Sequence, residues 1–346
     1  MIFLDERNET TPFYGNFPNI SQLMKFPLVL SLAALAALSS CKPSASSGKL
    51  RVAVIPKGTT HIYWKSVEAG AKKAADELGV EMTYIGPQKE DDRSQQIDLV
   101  RNQALQNDAI VLAPLDATAL RDAVKEVTGN GKPVVIIDSS LADSSSFITS
   151  YVATDNKEGG RIAARRLAEV MGGKGKVAVL RYMQGSSSTD NREEGFLEEI
   201  KKSPGIEIAS AEQYAGATAS TAQDTATNLL TRFASGDGLS IDGIYCPNQT
   251  TTFGMLQALR GKNLAGKVKF VGFDCDASFL DALKKGELQG TVLQDPLNMG
   301  YLAVKTAVAK LRKEEVKPVI DTGATLVTPE NMGDAKIAAL IKTQVP

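Results

Sequence analysis

The sequence predicts an α/β chain folded as two doubly wound parallel-sheet lobes, and three observations carry that reading. Short β-branched runs alternate with amphipathic stretches from Leu50 nearly to the end. The helical stretches keep one apolar face each, as helices packed on a parallel sheet do. Roughly 300 residues of this pattern exceed what one open sheet of ordinary width holds.

Taken in order, the strand runs are LRVAVI, VEMTYI, AIVLA, PVVIID and SYVA, then KVAVL, IEIAS, GIYC, KFVGFD and GTVLQ, with a natural break around residues 144–155. Between the first two runs, Val67, Ala71, Ala74, Ala75 and Leu78 fall on one helix face. Ala222, Ala226, Leu229, Leu230 and Phe233 repeat that spacing in the second half. Gly79, Gly131 and Gly261 stand where helix C-caps belong. The two halves share an order of elements rather than a visible sequence repeat.

Composition excludes several classes. With 43% hydrophobic and 23% charged residues among 346, the chain can bury one large core or two, and it is neither disordered nor fibrous. Lys plus Arg number 39 against 40 for Asp plus Glu, a net charge of −1 that offers no basic surface to a nucleic acid. One His, His61, forbids a multi-histidine metal site and leaves general acid/base chemistry to carboxylates. No nucleophile with a neighbouring base can be named, and no metal, cofactor or catalytic residue is expected.

The first forty residues read as an address. The run FPLVLSLAALAAL at residues 26–38 has 13 residues without a charge, short of the roughly 20 that span a bilayer as a helix. It suits a signal-peptide core with Lys25 before it, so Met24 is read as the start, residues 1–23 as a mis-assigned upstream segment and 24–40 as the signal. Leu38-Ser39-Ser40-Cys41 resembles a bacterial lipobox, which makes Cys41 a lipidation site and anchors the exported protein to a membrane. The alternative is an ordinary signal peptide cleaved nearby, with Cys41 incidental. Residues 41–48 then form a flexible Ser- and Gly-rich tether. Cys246 and Cys275 both follow strand runs; a disulfide between them is open if those strands are neighbours.

Ligands of doubly wound sheets bind outside the carboxyl ends of the strands. That rule selects Thr60, His61, Tyr63 and Trp64 after the first strand, Asp138 and Ser139 after the fourth, and Thr154 and Asp155 after the fifth. In the second half it selects Asn248, Asp274 and Gln294. Carboxylates and amides match adjacent hydroxyls on a polyol, and aromatic rings cover the C–H face of a sugar. The constellation suits a carbohydrate pocket.

The segments THIYWKSVEAGAKKAADELG, VVIIDSS, YVATDNKEGG, STDNREEGF, IYCPNQTTTFGMLQAL, VGFDCD and GTVLQDPLNMG, in this order and spacing, resemble ribose/xylose-type periplasmic sugar-binding proteins, the solute receptors of ABC importers. The resemblance runs across nearly all of residues 49–327. It implies a type I periplasmic binding fold whose lobes, residues 49–153 plus 295–322 and 154–294 plus 323–346, are joined by a three-segment hinge. It also implies a monomer that binds a monosaccharide between its lobes and docks on a membrane permease.

By that resemblance Tyr63 and Trp64 take the places of an aromatic pair beside the sugar, with His61 a polar residue just before it. Asp138 takes ring hydroxyls, Arg192 reaches into the cleft from a helix opening, and Asn248, Asp274 and Gln294 make the second lobe's polar contacts. Asp155 lies by the first hinge crossing. Read from the sequence alone, Arg192 could equally pair with Glu193 or Glu194 on a helix surface, and Asp274 could cap the following helix. Ser139 stands where ribose receptors often carry an arginine, and Ala217 or its neighbours where an aromatic is common; these departures argue against ribose itself and for a larger ring, a deoxy sugar or a differently substituted pentose in the space they leave.

Other signals are discounted. GGKGK at residues 172–176 precedes a strand and lacks the Ser or Thr of a P-loop. KEDDR at residues 89–93 reads as a solvated helix start capped by Asp91 or Asp92. A sensor feeding a membrane receptor or kinase, and a carbohydrate-processing enzyme, remain as alternatives to the transport receptor. A repressor is disfavoured because a signal peptide stands where its DNA-binding helices would be.

Overall fold

The structure, a computed structural model, describes residues 48–344. The signal segment, Cys41 and the tether up to residue 47 lie outside the described residues. The first lobe opens with β1 (Arg51–Ile55), α1 (Ile62–Leu78), β2 (Glu81–Tyr84), α2 (Arg93–Gln106), β3 (Ala109–Leu112), α3 (Arg121–Gly129), β4 (Val134–Ile137) and β5 (Ser150–Ala153). The chain then crosses to the second lobe with α4 (Asn156–Val170), β6 (Lys174–Arg181), α5 (Ser187–Ile200), β7 (Gly205–Tyr214) and α6 (Ala219–Arg232). A small hairpin of β8 (Ala234–Ser235) and β9 (Gly238–Leu239) follows, then β10 (Gly243–Tyr245), α7 (Gln249–Gly261), β11 (Lys269–Phe273), α8 (Ala277–Lys284) and β12 (Gly290–Leu293). It returns through α9 (Pro296–Leu311) and β13 (Val319–Asp321), crosses once more to β14 (Thr325–Val327), and ends in α10 (Ala335–Gln344).

The result is two six-stranded sheets, ordered β13-β5-β4-β3-β1-β2 and β14-β12-β11-β10-β6-β7. Every pairing is parallel except that of β12 with β14. The central strands are apolar along their whole length because helices cover both faces: AIVL of β3, VVII of β4 and GTVL of β12 are entirely buried. Three connections join the sheets, β5 to α4, β12 to α9 and β13 to β14. This is the doubly wound, two-lobe architecture that the alternation predicts.

Each lobe locks its crossing helix onto its first helix through a reciprocal pair of glycines. A methyl on Gly70 of α1 would collide with the Leu297 carbonyl of α9, and one on Gly300 of α9 with the Val67 carbonyl of α1. In the second lobe, Gly160 of α4 meets the Arg192 carbonyl and Gly195 of α5 meets the Lys157 carbonyl. The helices approach backbone to backbone, closer than any side chain allows.

Local details depart from the sequence reading at a few points. Gly79 caps α1 at φ 68°, but Gly261 is the last residue of α7, with Lys262 as its cap. The periodicity did not register β8, β9, β13, β14 or α10. α10 contacts α1 and α9 of the first lobe, while its Ile341 belongs to the second lobe's core.

Candidate functional site

The carboxyl ends of the two sheets face each other across a cleft, and each lobe supplies one wall. In the first lobe the chain leaves β1, and His61 forms the N-cap of α1. That places Tyr63 and Trp64 in the first turn, both buried, with their rings edge to face at 4.9 Å and 86°. The Trp64 indole N–H donates to Glu90 Oε1 at 2.6 Å, and the Tyr63 hydroxyl donates to Asp138 Oδ1 at 3.1 Å. Burial, then the neighbouring Asp138 and Asp274 carboxylates, push the Tyr63 phenol well above its ordinary range, which keeps it a donor.

Asp138 follows β4 and is 4% exposed. Lys57, also 4% exposed, sets its Nζ 2.6 Å from Asp138 Oδ2, 2.6 Å from Ser139 Oγ and 3.1 Å from Ser188 Oγ of the second lobe. Burial works to raise the Asp138 pKa, but the positive charges of Lys57 and Arg192 outweigh it and hold the carboxyl below its ordinary value. The cation beside Ser139 thus comes from the loop after β1, not from the residue following Asp138.

Arg192 of α5 supplies the second wall. Its Nε donates to Asn156 Oδ1 at 2.8 Å and its Nη1 to the Pro247 carbonyl at 3.0 Å, while its guanidinium lies 4.0 Å from the Phe273 ring centroid. Nη2 is buried without a hydrogen-bond partner among the described residues. The surface pairing with Glu193 is not made: Glu193 turns to Arg181 at 2.5 Å.

Asp274 follows β11 and accepts from the Gln249 backbone N–H at 2.9 Å and from Gln294 Nε2 at 2.7 Å. It does not cap α8, because Asp276 does. Burial raises its pKa despite the opposing charge of Arg192. Gln294, at the second crossing, brings its Oε1 to 3.5 Å from the Tyr63 hydroxyl and so touches both walls. Asn248 caps α7 through Oδ1.

Together these groups surround a space of about 400 Å³, counting the open solvent at its mouth. His61, Tyr63, Trp64, Asp138, Arg192, Asn248, Asp274 and Gln294 line it. Ser139 does not: it is fully buried behind Lys57. Asp155 does not either, since it is exposed and its Oδ1 caps α4.

Among the lining residues that escaped the sequence reading are Lys57, Glu90, Tyr182 and Gln249. Lys57 and Gln249 follow strand ends and were within reach of the same rule. Glu90 and Tyr182 meet across the cleft, the Tyr182 hydroxyl donating to Glu90 Oε2 at 2.9 Å. Further contacts close the same seam: Arg93 Nη2 to the Gln184 carbonyl at 3.0 Å, the Ala117 N–H to the Gly185 carbonyl at 3.0 Å, and Ser140 Oγ to Ser187 Oγ at 3.0 Å.

Cys246 and Cys275 follow neighbouring strands, yet they are free, buried thiols rather than a disulfide. Each is turned to its own partner, Cys275 Sγ to the Asp276 carbonyl at 3.6 Å and Cys246 to Thr251. Burial pushes both thiols up, away from the reactive thiolate. Among the described residues no three His, Cys, Asp or Glu side chains gather as metal ligands.

Two polar atoms on cavity residues lack hydrogen-bond partners among the described residues: the donor Arg192 Nη2 and the acceptor Gln249 Oε1. Leaving such groups unmade is costly, and a hydroxyl can satisfy both kinds. A hydroxyl-bearing molecule in the cavity would satisfy both atoms.

Comparison with known proteins agrees with that chemistry. The family described as periplasmic binding protein domain matches residues 52–315. The D-allose-binding periplasmic protein of Escherichia coli is 28% identical over 274 residues, covering 77% of this chain and 86% of its own. The ribose import binding protein of Bacillus subtilis is 29% identical over 310 residues, covering 87% and 97%. A carbohydrate transporter solute-binding protein from Agrobacterium radiobacter, solved with D-arabinose, superposes with a TM-score of 0.80 at 38% identity, over 86% of this chain and 100% of that one. An ABC transporter solute-binding protein from Agrobacterium vitis, solved with D-fucose, gives a TM-score of 0.79 at 34% identity, over 83% of this chain and 98% of that one.

Proposed function

The chain belongs to the periplasmic binding protein family, and on that footing we propose that it is the substrate-binding lipoprotein of a sugar ABC importer. It takes a monosaccharide between its lobes and delivers it to a membrane permease. The relatives are named for binding or importing sugars, and none of those cited is named as an enzyme. The observation that carries the reading is the pair of buried, unpartnered groups on Arg192 and Gln249, set between Asp138 on one wall and Asp274 on the other.

In this reading residues 49–153 plus 295–322 and residues 154–294 plus 323–346 move as two bodies about the three crossings. Ligand favours the closed form because only there do both half-sites touch it. Trp64 and Tyr63 cover the C–H face of the sugar, Asp138, Asp274 and Gln294 accept from or donate to its hydroxyls, and Arg192 donates to them. Micromolar binding corresponds to about −8 kcal/mol, within reach of a handful of such bonds. Cys41 carries the lipid that holds the receptor at the cell envelope, facing the periplasmic space.

A calorimetric screen of the purified protein against pentoses, hexoses and deoxy sugars tests the ligand class, since a ligand bound only by the native state raises its stability. No response to any of them would overturn the proposal. Trp64→Ala and Asp274→Ala should each abolish the response that wild type gives. Radioactive palmitate should label wild type and not Cys41→Ala; equal labelling would remove the anchor.

A further inference from the structure

His61 and Glu90 sit on different loops, yet both line the cavity described above and a second, open one of about 460 Å³, counting solvent at its mouth. These two side chains are the partition between them. The outer cavity has a polar wall from the first lobe, Thr60, Gln88 and Lys89, and faces Ala217 and Ala219 at the start of α6. Thr218, between those alanines, spends its hydroxyl on the cap of α6, accepting from the Thr221 N–H at 3.1 Å. The second lobe therefore lines the outer cavity with two alanines and a threonine whose hydroxyl is engaged in the helix cap.

One polar wall opposite one apolar wall is the complement of a second sugar ring or a compact aglycone, whose hydroxyl edge and C–H face differ in the same way. The partition has a fixed half and a free half. Glu90 is fixed by Trp64 from its own lobe and Tyr182 from the other. The His61 ring makes no hydrogen bond among the described residues, only a 3.7 Å contact with Glu90 Oε1, and its side chain is 26% exposed. Changing its rotamer breaks no hydrogen bond and gives up only that contact.

We propose that the site accepts sugars substituted at the ring atom facing His61, namely glycosides or disaccharides, with one ring in the inner cavity and the substituent in the outer one. This deepens the sugar-receptor reading and rests on it. Calorimetry on the purified protein would compare each free sugar that binds with its methyl and phenyl glycosides, both anomers, and with disaccharides that contain it. Wild type should bind at least one substituted form within about tenfold of the free sugar.

Ala219→Trp and, from the opposite lobe, Gln88→Trp fill the outer cavity without touching the inner one. Each should weaken the substituted ligand by roughly tenfold or more, while the free sugar stays within about twofold. Two independent variants guard against one that fails to fold. If free sugars bind and every substituted form is more than about a hundredfold weaker, or if the tryptophans weaken both ligands alike, the inference falls and the receptor reading stands. If neither free nor substituted sugars bind, both fall.

Discussion

Asp138 and Asp274 occupy the same place in the two lobes. Each is the residue after the strand third in its sheet's order, β4 or β11, and each N–H donates to the next strand, to the Val152 carbonyl at 3.3 Å or the Val292 carbonyl at 2.8 Å. Both adopt left-handed backbone, φ 61° and 63°, which non-glycine residues tolerate best when they are Asp or Asn. The two carboxylates thus enter the cleft from opposite sides on matching turns, and only one has a lysine beside it.

That difference predicts different outcomes for the same substitution. Asp274→Asn keeps the turn and removes a charge-assisted acceptor, so sugar affinity should fall by about tenfold to a hundredfold with a small change in Tm. Asp138→Asn should lose affinity too, and in addition leave Lys57 buried without its counter-ion, a penalty of about 3–5 kcal/mol in stability. Calorimetric titration and thermal unfolding of both variants separate the two effects; equal Tm values would contradict the role given to Lys57.

Lys57 also ties the lobes together through Ser188. Lys57→Met should release that tie and shift the ligand-free protein toward open forms, read as a larger radius of gyration in solution scattering. An unchanged ligand-free radius would mean that the seam holds without it.

Glu193 is 1% exposed and accepts from Arg181 Nε and the Tyr182 N–H. Burial lifts its pKa from 4.5 to about 7 in spite of Arg181. A carboxyl raised in the folded state keeps a proton that the unfolded chain has lost, so its contribution is complete below about pH 4.5 and is lost as pH climbs to about 7. Glu193→Gln removes that loss. The Tm of the variant minus that of wild type should therefore grow more positive from about pH 5 to about pH 8, and a flat difference would contradict the assignment.

Trp64 is the one tryptophan of the chain, so its emission reports the cleft alone. Opening exposes its indole to water; ligand-free protein should emit further to the red than sugar-saturated protein. Tyr182→Phe, which deletes the bond across the seam to Glu90, should enlarge that difference. Identical spectra with and without a bound sugar would place the ligand elsewhere.

The strand-end rule made much of the cavity readable because it concerns where a sheet puts its residues, and His61, Tyr63, Trp64, Asp138, Asn248, Asp274 and Gln294 all follow from it. Lys57 and Gln249 lay within reach of that rule, whereas Glu90 escaped because its place depends on the other lobe. Glu90 sits in a charged run that looks solvated, and its neighbour Asp92 does cap α2, accepting from the Gln95 N–H at 2.9 Å. Glu90 itself is drawn inward by a hydroxyl 92 residues away, a distance no local pattern spans. Arg192 is held by Asn156 and Pro247, which belong to its own lobe but lie far along the chain, so that only the family resemblance turned it toward the cleft.

The reciprocal glycines make a transmission without slack. With backbone seated against backbone, the helix that carries Tyr63 and Trp64 cannot slide on the helix that leaves the second crossing, and the helix that carries Arg192 cannot slide on the one that leaves the first. A rotation of a few degrees at the hinge therefore arrives undiminished at the aromatic pair and the guanidinium. Few other residues could be exchanged at those contacts without adding play to the joint, and a receptor with play would grip its sugar loosely however well its hydrogen-bonding groups were chosen.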